Sequence, residues 1–190
     1  MILKQKSIFK IVDNWGILIA RLTIYVVIVF SAIMVVTVLL GVIFRYILHN
    51  SLSWSEELAR YMMIWAALLS ISVGIKYKEH VGIQLILRKL PMGIARFINI
   101  LVNLIILFFL GVLSYKGLIV TIKALPQLSL GLGISMFWPL LSIPVAGVLA
   151  IIQQILQIVL SLRKDITFDE LLGATEADEA LKEVRIEAHN

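Results

Sequence analysis

The polar positions of this chain are sparse and bunched, and between them run apolar stretches far longer than a soluble fold uses. From Trp15 the sequence continues WGILIARLTIYVVIVFSAIMVVTVLLGVIFRY, with Arg21 the only charge before Arg45. A hydrocarbon core of about 30 Å takes about 20 apolar residues as helix. The stretch from about 15 to 46 therefore predicts a first spanning helix that must tilt or protrude, with Arg21 able to snorkel to one surface. Similar runs predict helices over about 54–75, 92–123 and 136–162. The pattern is read as an all-α integral membrane protein with four transmembrane helices. Transmembrane barrels show strands of about 10 residues alternating in polarity, and no such alternation occurs here.

The punctuation supports these boundaries. Ser53 stands three residues before Glu56, the spacing of a capping box, so helix two should start there with Glu56 and Glu57 in its first turn. VGIQLILRKLP, residues 81–91, is too short to cross and ends in basic residues, which suggests an interfacial helix or linker between helices two and three. Asn99 and Asn103 are four apart and share a face, where buried amides bond a neighbouring helix. Gly111, Ser114 and Gly117 offer a small-residue surface for close packing. ALPQLSLGLGIS, residues 124–135, reads as a short external connection. Pro139 suits a first turn, and Pro144 predicts a kink in helix four.

Composition agrees: 61% of the 190 residues are hydrophobic and 15% charged, with a mean hydropathy of +1.00. The net charge of +5 conceals an asymmetry. Residues 1–164 carry 15 Lys and Arg against 4 Asp and Glu, whereas 165–190 carry 2 against 8. A four-helix membrane domain over 1–164 is thus followed by an acidic tail, 165–190, with one short helix expected around ADEALKEVRIE. The basic clusters, Lys4, Lys6 and Lys10, then Lys76, Lys78, Arg88 and Lys89, then Arg163 and Lys164, all fall on one side of a four-span protein. Positive charge beside spans marks cytoplasmic segments, so both termini are placed in the cytoplasm and no nucleic acid is needed to explain the charge.

Several chemistries lack their residues. With no cysteine in the chain, thiol exchange and cysteine-ligated metals are out. Haem would need histidines on the helices, but His49, His80 and His189 lie in predicted loops or the tail. An intramembrane protease would need a serine with its base, an aspartate pair or a metal-binding histidine motif inside the bilayer, and none is present. No enzyme activity, cofactor or metal is expected.

What remains is NSLSWSEELARYMMIW, residues 50–65, which places two carboxylates and an arginine at the start of helix two. Arg60 lies four residues after Glu56 and three after Glu57, within reach of either along the helix. Two readings stay level on the residues alone. In one, the charges and the flanking Trp54 and Tyr61 anchor the helix in the headgroups, as Trp15, Tyr46 and Trp138 would elsewhere. In the other, the cluster meets a second membrane protein, where thinly hydrated charges need partners.

The order RY at 45–46, WSEELAR at 54–60, Trp65, a helix ending near Gly74, and His80-Val81 resembles the small membrane subunit of tripartite ATP-independent periplasmic (TRAP) transporters, the DctQ-type small permeases. The match covers the first two helices and their connection. It departs at Gln84, where relatives often carry an acidic residue. The resemblance implies a non-catalytic subunit of a bacterial inner-membrane secondary transporter, supporting the scaffold of a large membrane subunit. That subunit would take up an organic-acid anion, of dicarboxylate or sialic acid type, on an ion gradient, usually sodium, from a periplasmic substrate-binding protein. Arg45, Trp54, Glu56, Glu57, Arg60, Trp65 and His80 become the candidate partner-interface residues, with membrane lipids as further partners. The alternative is a self-contained small transporter or channel built as a homo-oligomer.

Overall fold

The structure, a computed structural model, describes residues 2–77 and 91–161. Its helices are α1 (Ile2–Tyr46), α2 (Ser53–Tyr77), α3 (Met92–Lys123), the single turn α4 (Phe137–Leu140) and α5 (Ser142–Ser161). Taking α4 and α5 as one span, four helices are long and apolar enough to cross a membrane. The expected four-helix membrane architecture is the one observed. The expected interfacial segment at 81–91 falls on 78–90 but for Pro91, and that part, with His80 and the tail from 165 onward, lies outside the described residues.

The first helix starts at Ile2 and not near Trp15. Its leading segment has no Pro or Gly before Gly16, and a helix satisfies its own backbone whether it lies in lipid or water, so the basic stretch extends the apolar one. At 45 residues and about 1.5 Å each, α1 is about 67 Å long.

α1 packs along α2, α2 along α5, and α5 along α3. Only 6% of the most apolar stretch of α1, and likewise of α3, is buried within the chain, against 33% for α2 and 39% for the α4–α5 span. α2 and α5 are therefore the inner helices, and the outer two turn most of their aliphatic surface outward. The buried interior follows from small residues: Ala59, Ala66, Ala146 and Ala150 are buried, and they let helix axes come close, as membrane helices do where oil excludes oil weakly. Gly147 faces Ser114 and Gly117 faces Ile143, whereas Gly111 meets nothing within 4 Å. Two of the three expected small residues therefore line the α3–α5 contact.

Pro144 breaks the last span as expected, at Leu141, between α4 and α5. Having no N–H, it leaves the Leu140 carbonyl without its helical donor. Thr121 Oγ1 on α3 lies 3.0 Å from that carbonyl and 2.8 Å from Gly117 O of its own helix, sharing its one hydrogen between them, and Ser142 Oγ donates to Pro139 O at 2.6 Å. The break is thus satisfied from a neighbouring helix, which is how a broken helix survives at membrane depth.

Candidate functional site

Two polar regions sit at opposite ends of the bundle. The first is built where α1 gives way to α2. After Tyr46 the chain tightens, with Ile47 N and Leu48 N both donating to Ile43 O at 2.9 and 3.3 Å. His49 then adopts a left-handed φ of 51°, and α2 begins at Ser53. The reversal lays Arg45 beside the first turn of α2, where its guanidinium donates to Glu56. The expected Ser53–Glu56 capping box does not form: the Glu56 carboxylate turns to Arg45, a charged donor that outcompetes a backbone N–H. Both partners are more than half exposed, so the pair contributes at most about 1 kcal/mol.

Glu57 does something different. Its Oε2 accepts from the backbone N–H groups of Gly131 and Leu132, at 2.7 and 2.9 Å, and its Oε1 accepts from the hydroxyl of Tyr61. The connection 124–136 is folded to deliver those two donors. Ser129 N bonds Ile134 O at 2.8 Å, and Met136 N bonds Gln127 O at 2.8 Å. Gly133 takes φ +65°, and a Cβ on Gly131 would lie 2.6 Å from Glu57 Oε2 and 3.0 Å from Ser53 O, so the sequence GLG is required by the contact. A carboxylate at the start of one span thereby pins the connection between the last two. Arg60 is exposed and forms no ion pair among the described residues, contrary to the expected reach back to Glu56 or Glu57.

The other candidate residues separate on inspection. Tyr61, expected as a headgroup anchor, is buried, and its hydroxyl lies 3.3 Å from Met136 Sδ as well as on Glu57. Trp65 is half-buried: its indole N–H donates to Trp138 O at 3.3 Å, and its ring meets Phe30 edge-on at 5.8 Å. Trp15, Tyr46, Trp54 and Trp138 are exposed. Glu56, Glu57, Arg60 and Tyr61 line one cleft of about 600 Å³, between α2, the 124–136 connection and the start of the last span.

The second region lies at the other end of α1 and α2. Lys76 Nζ donates to Asp13 Oδ1 at 2.6 Å, with the lysine side chain 8% exposed and the aspartate 48%. Beside it, three glutamines of α5 each tie a different helix. Gln153 Nε2 donates to Gly16 O of α1 at 2.9 Å, Gln157 Nε2 to Lys76 O of α2 at 2.8 Å, and Gln154 Nε2 to Asn103 Oδ1 of α3 at 2.7 Å. Asn103 in turn donates to Asn99 O at 2.6 Å, so of the asparagine pair Asn103 bonds the neighbouring helix, as expected, while Asn99 bonds only Asn103 along α3. The glutamines are not among the residues that the sequence singles out by motif. Their signal was available, since three amides within five residues of an apolar span are costly in lipid unless partnered. Among the described residues no three His, Asp or Glu side chains converge as metal ligands would.

Comparison with known proteins assigns this chain to a family. The chain is 33% identical over 106 residues to the sialic acid TRAP transporter permease protein SiaT of Haemophilus influenzae, covering 55% of this chain and 17% of that one. It is 29% identical over 111 residues to the sialic acid TRAP transporter small permease protein SiaQ of Vibrio cholerae, covering 58% and 64%. It is also 29% identical over 118 residues to the isethionate TRAP transporter permease protein DctMQ of Oleidesulfovibrio alaskensis, covering 57% and 19%. The chain thus spans less than two thirds of the length of each of these relatives. The profile described as tripartite ATP-independent periplasmic transporters, DctQ component, matches residues 34–164, more than half the chain, running from the last quarter or so of α1 through α5, so this protein belongs to the DctQ family.

Proposed function

We propose that the chain is the small membrane subunit of a TRAP secondary transporter and acts as a buttress. It stiffens the scaffold of a large membrane subunit while that subunit imports an organic-acid anion, handed over by a periplasmic binding protein, on an ion gradient. The observation that carries this reading is the use made of the buried amides. Gln153, Gln154 and Gln157 each donate a side-chain N–H to a different helix, which suits a rigid support, although Oε1 of Gln153 and of Gln157 is buried without a hydrogen-bond partner among the described residues. The outward faces of α1 and α3 supply the apolar surface such a support would lay against a larger protein.

In this reading the protein lies in the bacterial inner membrane with both termini cytoplasmic, because its basic clusters gather at one end. The Glu57 end then faces the periplasm. Trp54 and the rim of the Arg45–Glu56 pair are offered to the partners, while Glu57 and Trp65 work from inside, holding the shape of that end. Sialic acid, named for two relatives, is the first substrate to try, with dicarboxylates next.

The test is co-expression of the tagged chain with its neighbouring genes, followed by purification in mild detergent and proteoliposome uptake. A stoichiometric larger membrane protein, and uptake that requires both chains and the binding protein, is the expected result. Transport by this chain alone, as a defined homo-oligomer, would overturn the proposal.

A further inference from the structure

The cleft at the Glu57 end has a vertical order. Glu56, Arg60 and Ile64 line it together, and spacings of four residues place them along one stripe of α2, each about 6 Å further from the helix start. The first position presents a carboxylate: one oxygen of Glu56 is taken by Arg45, while its Oε2 has no hydrogen bond among the described residues. One turn deeper stands Arg60, exposed and without a carboxylate partner among the described residues, with five N–H donors in a planar fork. Another turn deeper the wall is aliphatic, with Ile64 facing Leu140 and Ile143 across the cleft. Glu57 does not disturb this sequence of acceptor, donor and oil, since both of its oxygens are engaged by Gly131, Leu132 and Tyr61.

We propose that this cleft binds one aminophospholipid, of the phosphatidylethanolamine class, headgroup outward. The ammonium donates to Glu56, the phosphodiester takes the Arg60 guanidinium, and an acyl chain lies along Ile64 and Ile143. Charge selects the occupant. Counting Arg45 on Glu56, two carboxylates and two arginines balance at this end, so a zwitterionic lipid leaves the balance as it stands, whereas a purely anionic one adds a charge that nothing there matches. A trimethylammonium headgroup has no N–H to give to Glu56. A zwitterion with a primary ammonium answers both groups in the order that they occur along the helix. The location fits as well, because the start of a spanning helix is where headgroups lie. This inference stands whether or not the subunit assignment above is correct, since it concerns the chain by itself.

The experiment is native mass spectrometry of the full-length chain in detergent, incubated with equal concentrations of dioleoyl phosphatidylethanolamine, phosphatidylcholine and phosphatidylglycerol. The single-lipid adduct of phosphatidylethanolamine should exceed the other two at least fivefold. Arg60→Gln should bring it down to their level, and Glu56→Gln should narrow its margin over phosphatidylcholine. Arg21→Gln, on an exposed arginine outside the cleft, should change nothing, and helix content by circular dichroism checks that each variant folds. Equal adducts for the three lipids, or an ethanolamine adduct that survives Arg60→Gln in a folded protein, would overturn the assignment.

Discussion

The contact between α3 and α5 can be tested at the level of single atoms. A methyl group added at Gly147 would overlap Ser114 Oγ and lie 3.1 Å from Ser114 Cβ and 3.4 Å from its Cα. The hydroxyl cannot simply rotate away without losing its 2.7 Å bond to Leu110 O, and the Cβ cannot move without the helix. Gly147→Ala should therefore force the helices apart. Overpacking of this kind costs about 1–3 kcal/mol, and the better helix propensity of alanine returns about 1, leaving a net loss of about 0–2 kcal/mol. Ser114→Gly removes both offending atoms and leaves only the Cα at 3.4 Å, an ordinary contact. By itself it should cost about 0.5 kcal/mol through propensity. In that background Gly147→Ala should become neutral or stabilising, so the two substitutions couple favourably by about 1–3 kcal/mol. The assay is reversible unfolding of the full chain in mixed micelles with increasing sodium dodecyl sulfate, read by circular dichroism, for the four corners of the cycle. Gly111→Ala is the control, because nothing stands within 4 Å of its new methyl. The reasoning fails if Gly147→Ala is as harmless as Gly111→Ala, or if the double variant shows the plain sum of the single effects.

Other expectations follow from the same contacts. Glu57→Gln should speed hydrogen exchange at the Gly131 and Leu132 amides, with Glu57→Ala doing so more strongly; unchanged protection in both would remove the carboxylate from its assigned role. Thr121→Val leaves the Leu140 carbonyl short of its donor and should cost about 1–3 kcal/mol. That cost should shrink in a Pro144→Ala background, where residue 144 regains an N–H for Leu140. Asp13→Asn strands the buried Lys76 ammonium and should destabilise by more than the roughly 1 kcal/mol of an exposed pair, approaching about 3–5 kcal/mol if burial is complete. Adding Lys76→Met to Asp13→Asn should recover much of that loss in the same unfolding assay, and no recovery would count against a desolvated pair.

The spans were legible because a membrane imposes one rule on every helix: enough apolar residues in a row to cross it. What could be read from local spacing fared unevenly for a physical reason. Asn99 and Asn103 share a face whatever else happens, so a bond from that face to another helix could be foreseen, and Asn103 makes it. Ser53 and Glu56 have capping-box spacing, yet Arg45 reaches Glu56 once the 47–52 reversal folds α1 back, and a charged donor takes precedence. The partners of Glu57 were invisible for a deeper reason, since Gly131 and Leu132 contribute backbone N–H groups that every residue except proline carries. Tyr61 looked like an anchor because tyrosines near span ends commonly are; its burial depends on a connection some 70 residues away. The glutamines of α5 announced a polar interior, but which helix each would tie depended on the packing order α1, α2, α5, α3.

That packing order has a consequence for biogenesis. The described spans are synthesised in the order α1, α2, α3 and then the last, and it is the last that carries all three amides. Until α5 enters the bilayer, α3 lacks the helix that it packs along, and α1 and α2 form a pair with Gly16 O and Lys76 O still awaiting the donors that Gln153 and Gln157 bring. When it enters, its amides have nowhere in the lipid to go except those waiting acceptors. Assembly should therefore be all or none at the final span: a nascent chain stalled before Phe137 would leave a helical hairpin and a stray helix, a natural substrate for membrane quality control.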